Sequence, residues 1–335
     1  MFNNKVLFIT GGTGSFGSQF AKFILKKYKP KKIIIYSRDE LKQFDMKNDS
    51  FLLKFSKILR FFIGDVRDLY RLNFALEKVD FVLHAAALKQ VDTGEYNPFE
   101  FVKTNILGAQ NIIDASIKNG ITKVVALSTD KASSPINLYG ATKLCSDKLF
   151  ISANNYTGAK KITFSVVRYG NVMGSRGSVI KKFLELKNKN NDIPITDTNM
   201  TRFSITLDQS VKFVEKCFYE MQGGEIFVPK ISSYKIIDLK NSIAPKNKIK
   251  LVGKRQGEKI HESLLSEFES TNTVEYSKYY CILDPAIIKN KKILKYKKDL
   301  KNKKCKKVDV NFSYVSDKNS FLKVSELKNL IKKNL

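Results

Sequence analysis

The sequence has few of the residues that bind metal ions or form disulfide bonds. Its only thiols and imidazoles belong to four cysteines and two histidines: Cys145, Cys217, Cys281, Cys305, His84 and His261. The cysteines are far apart and form no C-x-x-C pair, so they fit neither a zinc site nor a disulfide framework. We therefore expect no bound metal. Demanding chemistry must use an organic cofactor or the side chains of tyrosine, lysine, aspartate and glutamate.

Long apolar segments are also missing. No apolar run approaches the roughly eighteen residues that a membrane helix needs. The segment Met1–Thr10 contains one lysine and a short apolar run, whereas a secretory signal has a longer apolar stretch followed by a cleavage site. We therefore expect a soluble, cytoplasmic protein with no membrane partner.

Acidic residues are scarce relative to basic ones. The chain has 60 lysines and arginines against 32 aspartates and glutamates, which gives a formal net charge of +28. Such a charge is compatible with nucleic-acid binding. However, the densest stretch, Lys289–Lys307, alternates lysines with single apolar residues and lacks the aromatic interleaving of a base-stacking groove. We interpret the excess as a lysine-rich solvated surface and expect no nucleic-acid partner.

The first half of the chain alternates short apolar runs with longer amphipathic segments. The apolar runs predict buried strands at Lys5–Ile9, Lys32–Tyr36, Arg60–Ile63, Asp80–Leu83 and Lys123–Leu127. Helices are predicted between them at Ser15–Lys27, Leu69–Leu76, Pro98–Asn119 and Tyr139–Ala153. Strict alternation predicts an α/β fold with a Rossmann-like, doubly wound parallel sheet covered on both faces.

The alternation ends after a sixth predicted strand, Ile162–Arg168, and residues 192–202 resemble a loop. We predict a cofactor-binding domain over residues 1–168, with residues 203–222 packing back on it. Residues 169–202 and 223–335 are predicted to form a smaller substrate-binding region with a lysine-rich tail.

A glycine-rich loop directly follows the first predicted strand. It runs from Thr10 to Gly17 and has glycines at 11, 14 and 17, in the spacing G-x-x-G-x-x-G. Glycines allow a sharp turn and a close approach to a pyrophosphate, and the helix N-terminus supplies free N–H groups and the positive end of its dipole. Because the loop lies between the first strand and the first helix, it predicts a dinucleotide site. The residues expected at this site are Gly11, Thr13, Gly14, Ser15, Phe16 and Gly17.

The end of the second strand indicates which dinucleotide binds. An NAD enzyme places an acidic residue there to accept hydrogen bonds from the ribose hydroxyls. Here Ser37 and Arg38 can bind a 2′-phosphate, and Lys42 adds positive charge one helical turn later. This favours NADP; in the alternative, Arg38 pairs with Asp39 or Glu40 on the surface and Asp39 binds the ribose.

A tyrosine and a lysine four residues apart follow the fifth predicted strand. Tyr139 and Lys143 share one helix face. The phenol, whose pKa is normally about 10, is expected to become more acidic beside the ammonium group and an oxidised nicotinamide. It can then accept a proton from a sugar hydroxyl. The same spacing occurs by chance elsewhere, but only this pair follows Ser128 and Thr129 at a strand end on the cofactor edge of the sheet.

These motifs resemble the extended short-chain dehydrogenase/reductase family. Within that family, the sequence is similar to the inverting UDP-N-acetylglucosamine 4,6-dehydratases that open the pseudaminic acid pathway. The matching segments are 37–42, 64–68, 84–87, 129–132, 137–143 and 168–172. The sequence departs from the subgroup's usual pattern at Gln90–Asp92, Ser204 and Gln256. Retaining hexose dehydratases resemble this chain but carry Asp-Glu where it has Asp130-Lys131.

The resemblance implies a mechanism and a set of catalytic residues, which are Thr129, Asp130, Lys131, Tyr139 and Lys143. Tyr139 would deprotonate the carbon-4 hydroxyl while NADP⁺ takes the hydride. Lys131 would then remove the carbon-5 proton as general base, and Asp130 would help to protonate the departing carbon-6 hydroxyl. Hydride would return to carbon 6, and carbon 5 would be reprotonated on its opposite face.

The resemblance also implies binding roles for residues outside the glycine loop. Asp65 and Val66 would contact the adenine, and Ala86 would lie beside the nicotinamide with Lys89 near the substrate. The expected UDP-sugar ligands are Asn171, Val172, Ser175, Arg176, Arg202, Arg255 and Glu258, together with Lys89. We expect a homo-oligomer. The alternatives are a retaining dehydratase or 4-epimerase of a related UDP-sugar, and a non-catalytic NADP-sensing protein on the same fold.

Overall fold

The computed structural model describes residues 1–175, 177–285 and 294–334. The strands are β1 (Val6–Thr10), β2 (Lys32–Ser37), β3 (Leu59–Ile63), β4 (Phe81–His84), β5 (Lys123–Thr129), β6 (Thr163–Tyr169), β7 (Asn171–Val172), β8 (Ile193–Ile195), β9 (Thr201–Ile205), β10 (Glu225–Pro229), β11 (Ser233–Lys235), β12 (Ile249–Leu251), β13 (Ser263–Leu265), β14 (Thr273–Glu275), β15 (Tyr279–Leu283), β16 (Lys306–Lys307) and β17 (Tyr314–Val315).

The helices are α1 (Ser15–Lys27), α2 (Glu40–Lys47), α3 (Leu69–Ala75), α4 (Val91–Tyr96), α5 (Pro98–Phe101), α6 (Gly108–Lys118), α7 (Leu138–Ser152), α8 (Val179–Asn188), α9 (Leu207–Glu220), α10 (Ile236–Ile243), α11 (Glu267–Ser270), α12 (Leu294–Lys301) and α13 (Val324–Asn334). Short 3-10 turns occupy Leu52–Phe55, Asp130–Ala132 and Ala153–Asn155, and Val102–Leu107 is π-helical. None of the helices in the described part of the chain is long and apolar enough to cross a membrane.

The main sheet confirms the predicted Rossmann-like fold. Its ten strands lie in the order β16-β14-β15-β10-β6-β5-β4-β1-β2-β3. From β10 to β3 every neighbouring pair is parallel. The order reverses at β1, between β2 and β4, which places a crevice at the carboxyl ends of these strands. All five residues of β1 are buried, as expected for a strand that helices cover on both faces.

The main sheet contains more strands than the sequence analysis predicted. β10 pairs parallel to β6, and β15, β14 and β16 extend the sheet with antiparallel pairing. These four strands come from residues 223–335, which were predicted to belong to the substrate-binding region. β10 and β15 are buried along their whole length, so they complete the core of the main sheet. The assignment of the remaining segments to substrate binding stays a prediction.

Helices and a smaller core complete the structure. α9 packs against α1, and Val211 and Phe218 of α9 share one hydrophobic cluster with Phe20 and Ile24 of α1. A separate cluster joins α8, α10 and α13 with the short strand β8. This smaller core lies in the region that follows β6 in the sequence.

Two predicted segments were wrong in detail. Residues 192–202 contain β8 and the first residues of β9 instead of a continuous loop, since Ile193 and Ile195 are buried and β8 pairs with β12. The predicted helix at 98–119 is divided by the π-helical segment. There Asn105 donates to and accepts from the backbone of Leu88, at 2.9 Å in both cases, and donates to Thr142 at 3.1 Å.

Candidate active site

One cleft of about 1070 Å³ lies at the carboxyl ends of the parallel strands. Of the predicted site residues that the structure describes, all line this cleft except Lys143, which is buried. Arg176 lies outside the described residues. The cleft therefore brings the glycine loop, the ends of β2, β5 and β6, and the segment around residues 255–262 to one cavity.

The glycine loop has no room for side chains at its key positions. A Cβ atom on Gly17 would lie 2.7 Å from the carbonyl oxygen of Gly11 and from Cα of Gly12, and one on Gly11 would lie 2.9 Å from the backbone of Ala85. Gly11 also has a φ of +61°. Gly14 begins α1 without a side-chain cap, and the first turn of that helix has no acidic residue. The loop therefore fits a pyrophosphate. Without side chains in the way, such a ligand can approach the backbone N–H groups and the positive end of the α1 dipole.

The end of β2 presents a hydroxyl and an arginine to the cleft. Ser37 accepts a hydrogen bond from Thr13 at 3.1 Å, and Arg38 lies 3.5 Å from the carboxylate of Asp65. Asp39 caps α2, accepting from the backbone N–H of Lys42 at 2.9 Å, and also forms an ion pair with the Lys42 side chain. Because its carboxylate is engaged in this way, Asp39 has less capacity to accept hydrogen bonds from a ribose.

The expected adenine pocket is held by backbone contacts and ion pairs. Tyr36 donates to the carbonyl of Asp65 at 2.9 Å, and Asn111 donates to the carbonyl of Val66 at 3.0 Å. Burial raises the pKa of Asp65, but the hydrogen bonds from Arg67 and the charge of Arg38 outweigh it, so the pKa is lowered. The carboxylate therefore stays ionised and holds Arg38 at the rim of the cleft.

Tyr139 lies in the cleft, and its surroundings raise the pKa of its phenol. Burial raises the pKa of Tyr139 to about 12, although the charge of Lys131 and a hydrogen bond with Thr129 act in the opposite direction. The sequence had suggested Lys143 as the nearby charge that acidifies the phenol. In the structure the charge that chiefly opposes burial is that of Lys131. Tyr139 is therefore a proton donor or acceptor whose ionisation needs additional positive charge in the cleft.

Lys143 belongs to a buried charged network behind the strand end. Burial lowers its pKa, whereas the nearby carboxylate of Asp147 raises it. Asp147 accepts from Ser128 at 2.7 Å and lies 3.4 Å from Arg168, which also pairs with Glu269 at 2.9 Å. This network joins α7, β5 and β6 to α11.

Asp130 and Lys131 form the most concentrated cluster of charge in the cleft. Asp130 is fully buried and accepts from Thr129 at 2.9 Å and from the Lys131 ammonium at 3.1 Å. The Lys131 ammonium also lies 3.2 Å from Glu262. Burial lowers the pKa of Lys131, but the carboxylates of Asp130 and Glu262 outweigh burial and raise the pKa well above its usual value. The resting site therefore holds an ammonium between two carboxylates.

Gly170 allows this cluster to approach the neighbouring strand. A Cβ atom at position 170 would lie 2.6 Å from Cβ of Phe203 and 3.3 Å from Oδ2 of Asp130. A larger residue would therefore displace β9 or the Asp130 carboxylate.

The predicted substrate residues that the structure describes line the same cleft. Asn171, Val172 and Ser175 follow β6, and Arg202 lies on β9. Arg202 donates to the carbonyls of Thr201 and Ile260 at 2.8 and 2.9 Å and lies 3.4 Å from Glu258.

Arg255 is more exposed than Arg202. It pairs at 3.4 Å with Asp92, one of the positions where the chain departs from the subgroup pattern. This exposed pair connects α4 to the 255–262 segment across the cleft.

Glu262 was missed by the sequence reasoning. It is separated from Lys131 by more than a hundred residues and stands before an apolar run in an otherwise lysine-rich half of the chain. Nothing in its local pattern distinguishes it from a surface carboxylate. Glu262 reaches the cleft because the 255–262 segment folds beside the ends of the parallel strands.

Comparisons with known proteins agree with this geometry. The chain is 54% identical to the UDP-N-acetylglucosamine 4,6-dehydratase (inverting) of Campylobacter jejuni subsp. jejuni serotype O:23/36 (strain 81-176), over 95% of this chain and 94% of that one. It is 45% identical to the UDP-glucose 4-epimerase of Rickettsia bellii (strain OSU 85-389), over 84% of each chain. The X-ray structure of Pen from Bacillus thuringiensis superposes with a TM-score of 0.89 at 36% identity and covers 99% of both chains.

The match to a family model covers most of the chain. Residues 7–284 fit the family described as "Polysaccharide biosynthesis protein". This range contains the glycine loop, the Asp130/Lys131 pair, Tyr139 and the 255–262 segment. The motif resemblance is therefore confirmed, and the chain belongs to the polysaccharide biosynthesis protein family.

Proposed function

We propose that this protein is an NADP-dependent dehydratase that removes water across carbons 5 and 6 of UDP-N-acetylglucosamine and inverts carbon 5. The observation that carries the proposal is the contact between Asp130 and Lys131 in the same cleft as Tyr139. A simple oxidation and re-reduction at carbon 4 needs only the tyrosine, whereas loss of water also needs an acid and a base near carbons 5 and 6.

The cofactor would lie along the glycine loop and the end of β2. The loop and the N-terminus of α1 would hold the pyrophosphate, while Ser37, Arg38 and Lys42 would bind the 2′-phosphate. The ion pair and capping role of Asp39 support NADP over NAD at this position. Bound NADP would supply a hydride acceptor for carbon 4 and, once reduced, a hydride donor for carbon 6.

Tyr139 performs the first proton transfer. Its ionised form, the phenolate, accepts the proton of the carbon-4 hydroxyl, and carbon 4 becomes a ketone once its hydride has passed to bound NADP. The Lys131 ammonium and the Thr129 hydroxyl favour the ionised phenol, and they partly offset the effect of burial on its pKa. The ketone acidifies the hydrogen on carbon 5 and so prepares the second step.

The second step uses Asp130 and Lys131 as a proton-sharing pair. Lys131 begins as an ammonium and must lose a proton before it can act as a base. Its closest carboxylate oxygen, 3.1 Å away on Asp130, can accept that proton. The amine then takes the carbon-5 proton, the carbon–carbon double bond forms, and the carbon-6 hydroxyl leaves as water with the proton held by Asp130. The pair returns to its original charges, so the sequence needs no outside acid or base.

The nucleotide end of the substrate would be bound by residues of β9 and of the 255–262 segment. Arg202 and Arg255 would pair with the diphosphate, and Glu258 would contact ribose or uracil. The product of this reaction would be the 4-keto sugar that enters pseudaminic acid synthesis.

A second candidate is a 4-epimerase of a related UDP-sugar, because the chain is also 45% identical to the Rickettsia bellii protein, although this is less than its 54% identity to the Campylobacter jejuni dehydratase. The two activities differ in whether water is lost. We expect purified protein incubated with UDP-N-acetylglucosamine to give a product lighter by one water molecule in mass spectrometry. A product of unchanged mass, with the configuration at carbon 4 altered, would establish the epimerase instead.

A further inference from the structure

Glu262 is the buried carboxylate of the cleft that the reaction described above does not use. Its residue is 2% exposed, and its Oε1 lies 3.2 Å from the Lys131 ammonium and 3.9 Å from Nε of Arg202. Its other oxygen, Oε2, is buried and has no hydrogen-bond partner among the described residues. A buried, half-satisfied carboxylate is costly, so its place in the cleft calls for a functional explanation.

The backbone around Glu262 is fixed by the neighbouring strand pair. Its N–H donates to the hydroxyl of Ser316 at 2.9 Å, and its carbonyl accepts from the N–H of Ser316 at 2.8 Å. The Ser316 hydroxyl also lies 2.7 Å from that of Thr201 on β9. Two segments distant in sequence, around Thr201 and Ser316, therefore hold the backbone of Glu262 in place.

We infer that Glu262 is a positioning residue that holds the Lys131 amine beside Asp130 for carbon-5 deprotonation, an inference that rests on the proposed function. Lys131 has a long flexible side chain, and Asp130 alone would give its nitrogen a single carboxylate contact. Glu262 supplies a second contact to the same nitrogen, at 3.2 Å. A displacement of about 1 Å in such a group can cost about a hundredfold in rate.

Several charged or titratable groups of the described residues interact with the Lys131 ammonium. They include Asp130, Glu262, Arg202, Tyr139, Lys259 and Tyr234. The carboxylate of Glu262 raises the pKa of Lys131, so its removal lowers that pKa. A lower pKa lets the Lys131 ammonium lose its proton more readily, to solvent as well as to Asp130, so the rise of carbon-5 exchange with pH moves toward lower pH.

The test is Glu262→Gln, which keeps the shape of the side chain and removes its charge. Two rates are measured with bound UDP-N-acetylglucosamine: transient formation of NADPH, and exchange of the carbon-5 hydrogen with deuterated solvent as a function of pH. We expect NADPH formation to persist. The plateau of carbon-5 exchange should fall about ten- to a hundredfold, and its rise should move toward lower pH.

The matched control is Glu267→Gln, which removes an equal charge from an exposed position at the start of α11. It should leave both rates and the pH profile unchanged. If Glu262→Gln exchanges carbon 5 with the wild-type plateau and pH profile, the inference is wrong. If it loses NADPH formation and exchange equally, its role is general structural support and the inference is also wrong.

The experiment separates this inference from the proposed function. Wild-type protein that forms neither NADPH nor the dehydrated product would contradict the proposed function itself. Wild-type protein that is active, alongside an indistinguishable Glu262→Gln variant, would contradict only the role of Glu262.

Discussion

At the scale of single residues, Tyr139 and Lys131 are assigned to successive steps, and substitution can separate them. Lys131→Ala should reduce dehydration by about 10²–10⁴, the usual effect of a lost general base, yet still allow transient reduction of NADP⁺ by bound substrate. Tyr139→Phe retains the ring but removes the proton acceptor, so it should suppress even this first hydride transfer. Single-turnover absorbance of NADPH, paired with deuterium exchange at carbon 5, measures both.

Matched controls exist for both substitutions. Lys148→Ala removes an exposed lysine from α7, the helix that carries Tyr139, and Tyr156→Phe removes the hydroxyl of a tyrosine that is 50% exposed. Both controls should behave as wild type. A Lys131→Ala variant that exchanged the carbon-5 hydrogen at the wild-type rate would assign the base to Asp130 or to water.

The cofactor assignment depends on Arg38. Arg38→Ala removes a guanidinium that lines the cleft and can form a charge-assisted pair with the 2′-phosphate. NADP affinity should fall roughly 10- to 100-fold, and NAD affinity should change much less, because NAD lacks that phosphate. Titration calorimetry with both cofactors measures the difference. Equal losses for NADP and NAD would show that the 2′-phosphate is not bound by Arg38.

Residue identities could be predicted where the chemistry is local in sequence. The glycine loop, Ser37 and Arg38, and the segment from Thr129 to Lys143 each occupy one short stretch. Glu262 could not be predicted, because its role depends on a contact between β5 and a distant segment. The raised pKa of Lys131 was missed for the same reason, since Glu262 supplies part of its cause.

At the scale of elements, the β1–α1 unit depends on the absence of side chains in its turn. Replacing glycine by alanine inside a helix ordinarily stabilises it by about 0.5–1 kcal/mol. In Gly17→Ala, the new methyl group would lie 2.7 Å from backbone atoms of Gly11 and Gly12, which cannot move as a flexible side chain can. We expect this variant to lose thermal stability and to bind NADP weakly.

Ser18→Ala is the control for the glycine loop, because it alters the next position of the same helix and leaves the turn intact. Differential scanning fluorimetry with and without NADP tests both variants. A Gly17→Ala protein with wild-type stability and cofactor affinity would show that the loop can open without loss of the site.

Element boundaries were predictable only where the pattern is long and regular. The buried strands β1, β2, β4 and β5 read as continuous apolar runs, so sequence reasoning found them. β8 has three residues with a central proline, and its two isoleucines become buried only through the separate small core. In the π-helical segment, Asn105 contacts Leu88 and Thr142, and the hydrophobic periodicity of the sequence cannot reveal such contacts.

At the scale of the whole molecule, the family membership and the fold follow from the first half of the chain, but the extent of the sheet does not. β10 and the antiparallel extension come from a segment whose lysine content obscured its buried strands. The site itself is assembled from both halves of the chain, since Lys131 contacts a carboxylate of the later segment.

The central claim is that the protein dehydrates UDP-N-acetylglucosamine with inversion, and NMR of the product formed in deuterated water tests it most directly. The account predicts a 6-deoxy-4-keto sugar whose carbon 5 carries deuterium and has the inverted, L-arabino configuration. The label is expected because inversion delivers the new hydrogen to the face opposite Lys131, from a donor that has exchanged with solvent, so carbon 5 does not regain the proton that Lys131 removed. A 6-deoxy-4-keto product with retained carbon-5 configuration, or a 4-epimer that still carries its carbon-6 hydroxyl, would contradict the account.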